Sequence, residues 1–215
     1  MRIGLLLVIG VLGLACCTNP DDLDRKPAYL GNFRLGHSVV VSPELRQGPN
    51  SREATPDEWI AAVETTVRDR FERYRGSRFY NLGINVEGYV LAEPGIPVVA
   101  APKSFLLLNV TVWDDANAVR LNDPAETLTV FEDISGETIV GSGVTQTREQ
   151  QIAKLSQTAS KQIQIWLVQQ NDEYGWFEDD GRPARYKSRR SRTRQNAAQP
   201  LSVAAPQPDL GAQIP

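Results

Sequence analysis

The sequence predicts an α+β domain in which two amphipathic helices pack on one face of a mostly antiparallel sheet. Three observations predict this fold: two stripes of apolar residues at helical spacing, strand-like segments that lie mostly between them, and a hairpin-like connection late in the chain. The elements follow roughly the order β-α-β-β-β-β-α. Because each helix is apolar on one side, each needs a surface to cover, and the sheet supplies it.

Both helices are indicated by their first residues and by their apolar spacing. Thr55-Pro56-Asp57-Glu58 has the pattern of a capping box, and apolar residues follow at spacings of three and four until Gly76. Thr147-Arg148-Glu149-Gln150 is a second capping box, followed by the same spacing. The two apolar stripes are Ile60, Val63, Val67, Phe71 and Tyr74, and Ile152, Leu155, Ala159, Ile163 and Trp166.

The sheet is predicted from segments rich in β-branched and aromatic residues. Strands are expected at residues 37–41, 86–92, 105–113, 128–132 and 138–144. In the third of these, Leu106, Leu108, Val110 and Val112 form one face, and the first half is apolar on both faces, which predicts a central strand. Asp133-Ile134-Ser135-Gly136-Glu137 separates two alternating runs and is typical of a hairpin connection.

Residues 1–15 have the pattern of an export signal peptide. Arg2 precedes an apolar run that ends at Ala15, which is shorter than the ~20 residues that a spanning helix needs. Leu14-Ala15-Cys16 resembles a bacterial lipobox, in which a small residue precedes the cysteine that receives the lipid. Cys17 is the alternative lipidated residue, and an ordinary cleaved leader with two incidental thiols is the other interpretation.

Composition divides the remainder of the chain into three parts. Residues 16–36 are polar at first, contain Pro20 and Pro27, and are interpreted as a lipidated tether. Residues 37–181 form the single α+β domain. Residues 182–215 carry seven cations and one acid in a chain whose net charge is -3, then become rich in Pro, Ala and Gln, which predicts a disordered tail. The candidates for binding an anionic surface such as lipid or lipopolysaccharide are Arg185, Lys187, Arg189, Arg190, Arg192 and Arg194.

The sequence offers little for catalysis. With one histidine, His37, and two cysteines beside the leader, it predicts no metal site, no cofactor and no catalytic residue. Acidic neighbours occur at Asp114-Asp115 and Glu178-Asp179-Asp180, but adjacent acids point in different directions and are common in loops. A carboxylate-based hydrolase of cell-wall glycan therefore stays an alternative, as does a small ligand-binding lipoprotein.

The end of the second helix carries the only binding candidates in the domain. Core packing is the usual role of aromatic residues. However, Tyr174, Trp176 and Phe177 surround Gly175 and precede three acids, so an exposed anchor for an envelope protein partner is the functional hypothesis, with Trp176 as its main residue.

A lipidated cysteine, a tether, meandering strands with an Asp-x-x-Gly-Glu hairpin and a long final helix resemble the small α+β lipoproteins of Gram-negative envelopes. The lipopolysaccharide-assembly lipoprotein belongs to that group, and the resemblance covers about residues 37–170. It rests on element order. It implies the fold more than the function. The missing catalytic residues and the tether predict a membrane-anchored assembly factor, adaptor or scaffold without enzymatic activity. An exported protein meets little nucleic acid, so no nucleic acid partner is expected. Since Cys17, and not Asp, follows Cys16, the expected location is the outer membrane, facing the periplasm.

Overall fold

The structure is a computed structural model that describes residues 20–93, 104–132 and 147–178. In those ranges it has six strands and two helices, and it confirms the predicted α+β class and the approximate element order. In chain order they are β1 (Phe33–Val41), β2 (Arg46–Gln47), α1 (Pro56–Phe71), β3 (Arg78–Val90), β4 (Phe105–Asp114), β5 (Val119–Arg120), β6 (Glu126–Phe131) and α2 (Arg148–Tyr174).

The six strands form one mixed sheet with β3 and β4 in the middle. β1 and β2 run parallel to β3, whereas β3, β5 and β6 are antiparallel to β4. Two parallel strands need a crossover connection, and α1 is part of the connection between β1 and β3. The prediction that residues 105–113 form a central strand is confirmed, because β4 has neighbours along both of its edges.

Strand alternation gives the sheet two different faces. Leu106, Leu108, Val110 and Val112 are fully buried on one face of β4. They share one hydrophobic core with the predicted helix stripes, represented by Val67 of α1 and Ile163 of α2. Most described side chains on the other face are half-buried or exposed, although Val90 of β3, which pairs with Phe105, is buried. We call this second surface, opposite the helices, the open face.

The helices lie side by side and run in the same direction. Both predicted capping boxes are present, centred on Thr55 and Thr147. The Oγ1 atom of Thr66 donates to the carbonyl oxygen of Ser156 at 3.0 Å, near the middle of α1. At the N-terminal ends of the helices, the guanidinium of Arg148 donates to both carboxylate oxygens of Glu58, at 3.0 and 2.5 Å. The α1 residues along this contact therefore face residues about ninety positions later in α2.

The strands differ from the prediction in several places. β1 begins at Phe33 and not at residue 37, so the sheet starts inside the segment interpreted as a tether. β3 begins at Arg78, eight residues before the predicted start at Val86. The short strands β2 and β5 were not predicted at all. The hairpin at residues 133–137 and the strand at residues 138–144 lie outside the described residues, as do the leader and the basic tail.

Candidate functional site

The paired acids considered for catalysis hold the end of the β3–β4 ladder together. Asp114 is buried, accepts from Nη2 of Arg78 at 3.0 Å and accepts from Nδ2 of Asn117 at 2.8 Å. Asp115 accepts from Nδ2 of Asn81 at 2.9 Å. These contacts give both carboxylates a structural explanation.

His37 lies at an irregularity in the pairing of β1 with β3. The register of the two strands shifts between Leu35 and Ser38, and the backbone N–H of His37 donates to Oδ1 of Asn81 at 2.8 Å. The residue is exposed. Within the ranges that the structure describes, no three His, Cys, Asp or Glu residues are grouped so that they could hold a metal ion.

The prediction that this aromatic anchor is exposed is wrong, because two of its three residues are in the core. Trp176 is 5% exposed and Phe177 is fully buried. Gly175 adopts the left-handed conformation, with φ of 64°, and turns the chain back after α2. The hydroxyl of Tyr80 then donates to the carbonyl oxygen of Trp176 at 3.2 Å. Tyr174 is half-buried and stacks on Trp176, with 6.4 Å between ring centroids.

The other predicted site residues fall outside the described ranges. These are the lipidation candidates Cys16 and Cys17 and the tail cations Arg185, Lys187, Arg189, Arg190, Arg192 and Arg194. Their assignments stay predictions. Glu178, the last described residue, accepts hydrogen bonds from the side chains of Tyr29 and Asn171.

The open face carries large exposed apolar side chains that the sequence did not single out. Val39 on β1, Phe79 on β3 and Trp113 on β4 lie toward one end, and Phe131 on β6 lies at the other. Val41 on β1 lies between them, beside Asn85 of β3. Val39 is 57% exposed and Phe131 is 53% exposed. Apolar side chains grouped on one face of a soluble domain are typical of binding surfaces.

A row of polar side chains separates the two apolar ends of the open face. Glu87 accepts from Nδ2 of Asn85 at 2.5 Å and from Nδ2 of Asn109 at 2.7 Å. Thr127 donates its hydroxyl to Oδ1 of Asn109 at 2.7 Å, which extends the row onto β6. The row therefore presents a carboxylate, amides and a hydroxyl between apolar flanks. This chemistry suits recognition by contact and hydrogen bonding.

A second feature that the sequence did not predict is the attachment of the N-terminal segment to the helices. Asp22 accepts from Nη1 of Arg70 at 2.7 Å, and its other oxygen accepts from the ammonium of Lys161. Arg70 is 1% exposed, and its Nη2 also donates to the carbonyl oxygen of Pro20 at 2.8 Å. We call the contacts of Pro20 and Asp22 with Arg70 and Lys161 the tether clamp.

The environment of Asp22 stabilises its charged form. Partial burial alone would raise the pKa of this carboxyl, but hydrogen bonds from Lys161 and Arg70 outweigh that effect and lower its pKa. The guanidinium of Arg70 is further held by Oγ of Ser160 and Oε1 of Gln164, both at 3.1 Å. The clamp is therefore a charged cluster embedded between α1 and α2, not a loose surface contact.

Comparisons with known proteins add little. No protein-family model matches the sequence, and the search of curated proteins finds no match. Several solved structures are similar in fold. A Xanthomonas campestris protein of family DUF330 has 15% identity and a TM-score of 0.39, over 69% of this chain and 93% of its own. PelC of Paraburkholderia phytofirmans, a dodecamer, has 11% identity and a TM-score of 0.31, over 63% and 92%. A Caulobacter crescentus protein described as a lipoprotein has 15% identity and a TM-score of 0.33, over 68% and 93%. Similarity at these values carries no argument about function.

Neither of the two described helices is both long and apolar enough to cross a membrane.

Proposed function

We propose that this protein is a lipid-anchored protein of the bacterial cell envelope that acts without catalysis, as an adaptor, assembly factor or scaffold. A partner protein binds to the open face, and the lipid on Cys16 holds the complex at the outer membrane, facing the periplasm. The observation that carries the proposal is a filled hydrophobic core beneath a sheet face with exposed apolar side chains.

The open face supports a protein partner more than a small substrate. Its apolar residues are spread over β1, β3, β4 and β6, with the polar row of Glu87 and Asn109 between them. An apolar patch on a partner protein that contains hydrogen-bond donors for Glu87 would be complementary to this surface. The alternative of a glycan hydrolase receives no specific support, because Asp114 and Asp115 are engaged by Arg78 and Asn81.

The partner-binding part of the proposal is tested by crosslinking in living cells. A photo-reactive amino acid at Trp113 should capture a protein, and the same group at Val119 should not. Both positions are exposed, but Val119 pairs with Asp114, whose side chain is on the buried face. Equal capture from both positions, or none from Trp113, would remove the open face as the binding surface.

The anchoring part is tested by cell fractionation. Cys16→Ser should leave the leader uncut or move the protein from the membrane pellet to the soluble fraction. Continued acylation of this variant would transfer the assignment to Cys17. Separation of the two membranes on a density gradient then tests the outer-membrane location, and migration with inner-membrane markers would contradict it.

A further inference from the structure

The tether clamp shortens the connection between the predicted lipid and the folded domain. Phe33, the first residue of the sheet, lies seventeen positions after Cys16, and an extended chain of that length could span about 60 Å. Pro20, however, is already bound to Arg70 and lies only four positions after Cys16. The extended reach of four residues is about 14 Å. The clamp therefore removes most of the freedom that an unattached tether would have.

The clamp also defines the side of the domain from which the tether leaves. The described side-chain contacts of Asp22 are to helix residues, Arg70 near the end of α1 and Lys161 in α2. The guanidinium of Arg70 bridges to Ser160, so the clamp lies on the seam between the two helices. The open face is on the opposite side of the sheet.

We propose that the helix seam at the tether clamp lies against the lipid bilayer, and that the open face consequently points away from the membrane. This orientation rests on the proposed function, because it needs a lipid on Cys16 or Cys17. The helix seam is covered by the same bilayer that holds this lipid.

The dimensions of a helix layer on a sheet enforce this orientation. A helix with its side chains is about 10–12 Å across, and a packed layer lies about 10 Å from the next, so the open face is about 20 Å from the outer surface of the helices. The polar headgroup layer itself takes about 5–7 Å of the tether. What remains of a 14 Å reach cannot pass around the domain, so the domain cannot turn over while the clamp is closed.

The side chains near the clamp are compatible with a position against the bilayer. This position requires no electrostatic attraction between the domain and the membrane. Leu23, next to Asp22, is an exposed apolar residue beside the bilayer. Exposed charges of both signs surround it, including Asp21, Asp24, Arg25 and Lys26. The orientation should therefore depend little on salt, unlike binding through a run of cations.

Fluorescence quenching in vesicles tests the orientation. The chain from Cys16 onward, with Cys17→Ser, is coupled through the Cys16 thiol to a maleimide lipid in vesicles of phosphatidylcholine and phosphatidylglycerol that contain a nitroxide-headgroup lipid. A fluorescent amino acid replaces Thr65 on the outer side of α1 or Thr129 on the open face, two exposed threonines. We expect several-fold stronger quenching at position 65 than at position 129. Equal quenching, or stronger quenching at position 129, would overturn the proposal.

Two variants show whether the clamp causes the difference. A twelve-residue Gly-Ser insertion between Asn19 and Pro20 adds about 40 Å of reach and leaves the clamp intact, so quenching at position 65 should fall. Asp22→Asn should lower it by opening the clamp. If Asp22→Asn unfolds the domain, the insertion variant still tests whether the short tether sets the orientation. Unchanged quenching at position 65 after the insertion would refute that role. Chemical coupling makes the result independent of cellular acylation, which the Cys16→Ser fractionation tests separately.

Discussion

Asp22→Asn should destabilise the domain although residue 22 precedes the first strand. The substitution removes a carboxylate and leaves the guanidinium of Arg70, which is 1% exposed, without its charged partner. Breaking one partner of a buried ion pair generally costs about 3–5 kcal/mol. Arg70 retains neutral acceptors in Ser160, Gln164 and the Pro20 carbonyl, and Asp22 itself is 21% exposed. We therefore expect a smaller loss, about 2–3 kcal/mol in the free energy of unfolding.

Urea unfolding of the mature chain with both cysteines changed to serine measures this loss. Asp24→Asn is the control, since Asp24 is an exposed acid of the same segment and should change stability by less than about 0.5 kcal/mol. Because the clamp lowers the pKa of Asp22 below its ordinary value of 3.8, its contribution is present above that pH and disappears as the pH falls through the lowered pKa. The curves of the two proteins should therefore converge in acid. A loss below about 0.5 kcal/mol at neutral pH would show that the N-terminal segment is detached in solution, and the reasoning would be refuted.

Three further predictions concern other parts of the chain. Hydrogen bonds from Arg148 lower the pKa of Glu58 from 4.5 to about 2, so this carboxylate stabilises the domain above pH 4.5 and the stabilisation is lost between about pH 4.5 and 2. Because Glu58 is 37% exposed, Glu58→Gln should cost only about 1 kcal/mol at pH 7, measured by urea unfolding against the control Asp57→Asn, which lies in the same helical turn. Trp176→Ala should lower the free energy of unfolding by about 3–5 kcal/mol, because the ring is buried in the core; a loss below about 1 kcal/mol would contradict that placement. Deleting residues 182–215 should leave the melting temperature unchanged and abolish salt-dependent binding to anionic vesicles, whereas a clear fall in melting temperature would show that the tail packs on the domain.

The helices and the central strand were predictable because their signals are local. A capping box and an apolar stripe are read within one segment, and both boxes form as expected around Thr55 and Thr147. The alternation of β4 is likewise visible in the sequence. Its buried positions, Leu106 to Val112, contain only Leu and Val.

Two features were missed, the first half of β3 and the burial of Trp176, although the sequence contains evidence for both. The first half of β3 alternates correctly, with Tyr80, Leu82 and Ile84 buried, but Asn81 and Gly83 between them are uncommon in strands. Gly83 nevertheless has a reason to be there, because a Cβ atom would come within 2.6 Å of Oγ1 of Thr111 on β4. The buried position of Trp176 could have been inferred from Gly175, since a glycine that ends a helix is often followed by an apolar residue that packs back.

The tether clamp could not be predicted, because it depends on distant residues. Asp22 in the sequence is one of several acids in a polar, proline-containing segment. Its partners Arg70 and Lys161 are charged residues on helices that would ordinarily face water. Only the parallel placement of α1 and α2 brings the two cations to the same point.

The position of Phe177 determines when during synthesis the domain can become stable. Its ring lies 5.1 Å from that of Phe33 and 4.8 Å from that of Tyr80, so the end of the described chain completes a cluster that its first strand begins. The bond between Tyr80 and Trp176 spans 96 residues, and contacts of such separation form late in folding. A chain that still lacks α2 and Phe177 therefore has an unfilled core. For the export that the leader pattern of residues 1–15 predicts, this delay would keep the chain able to pass a channel that the completed domain could not pass.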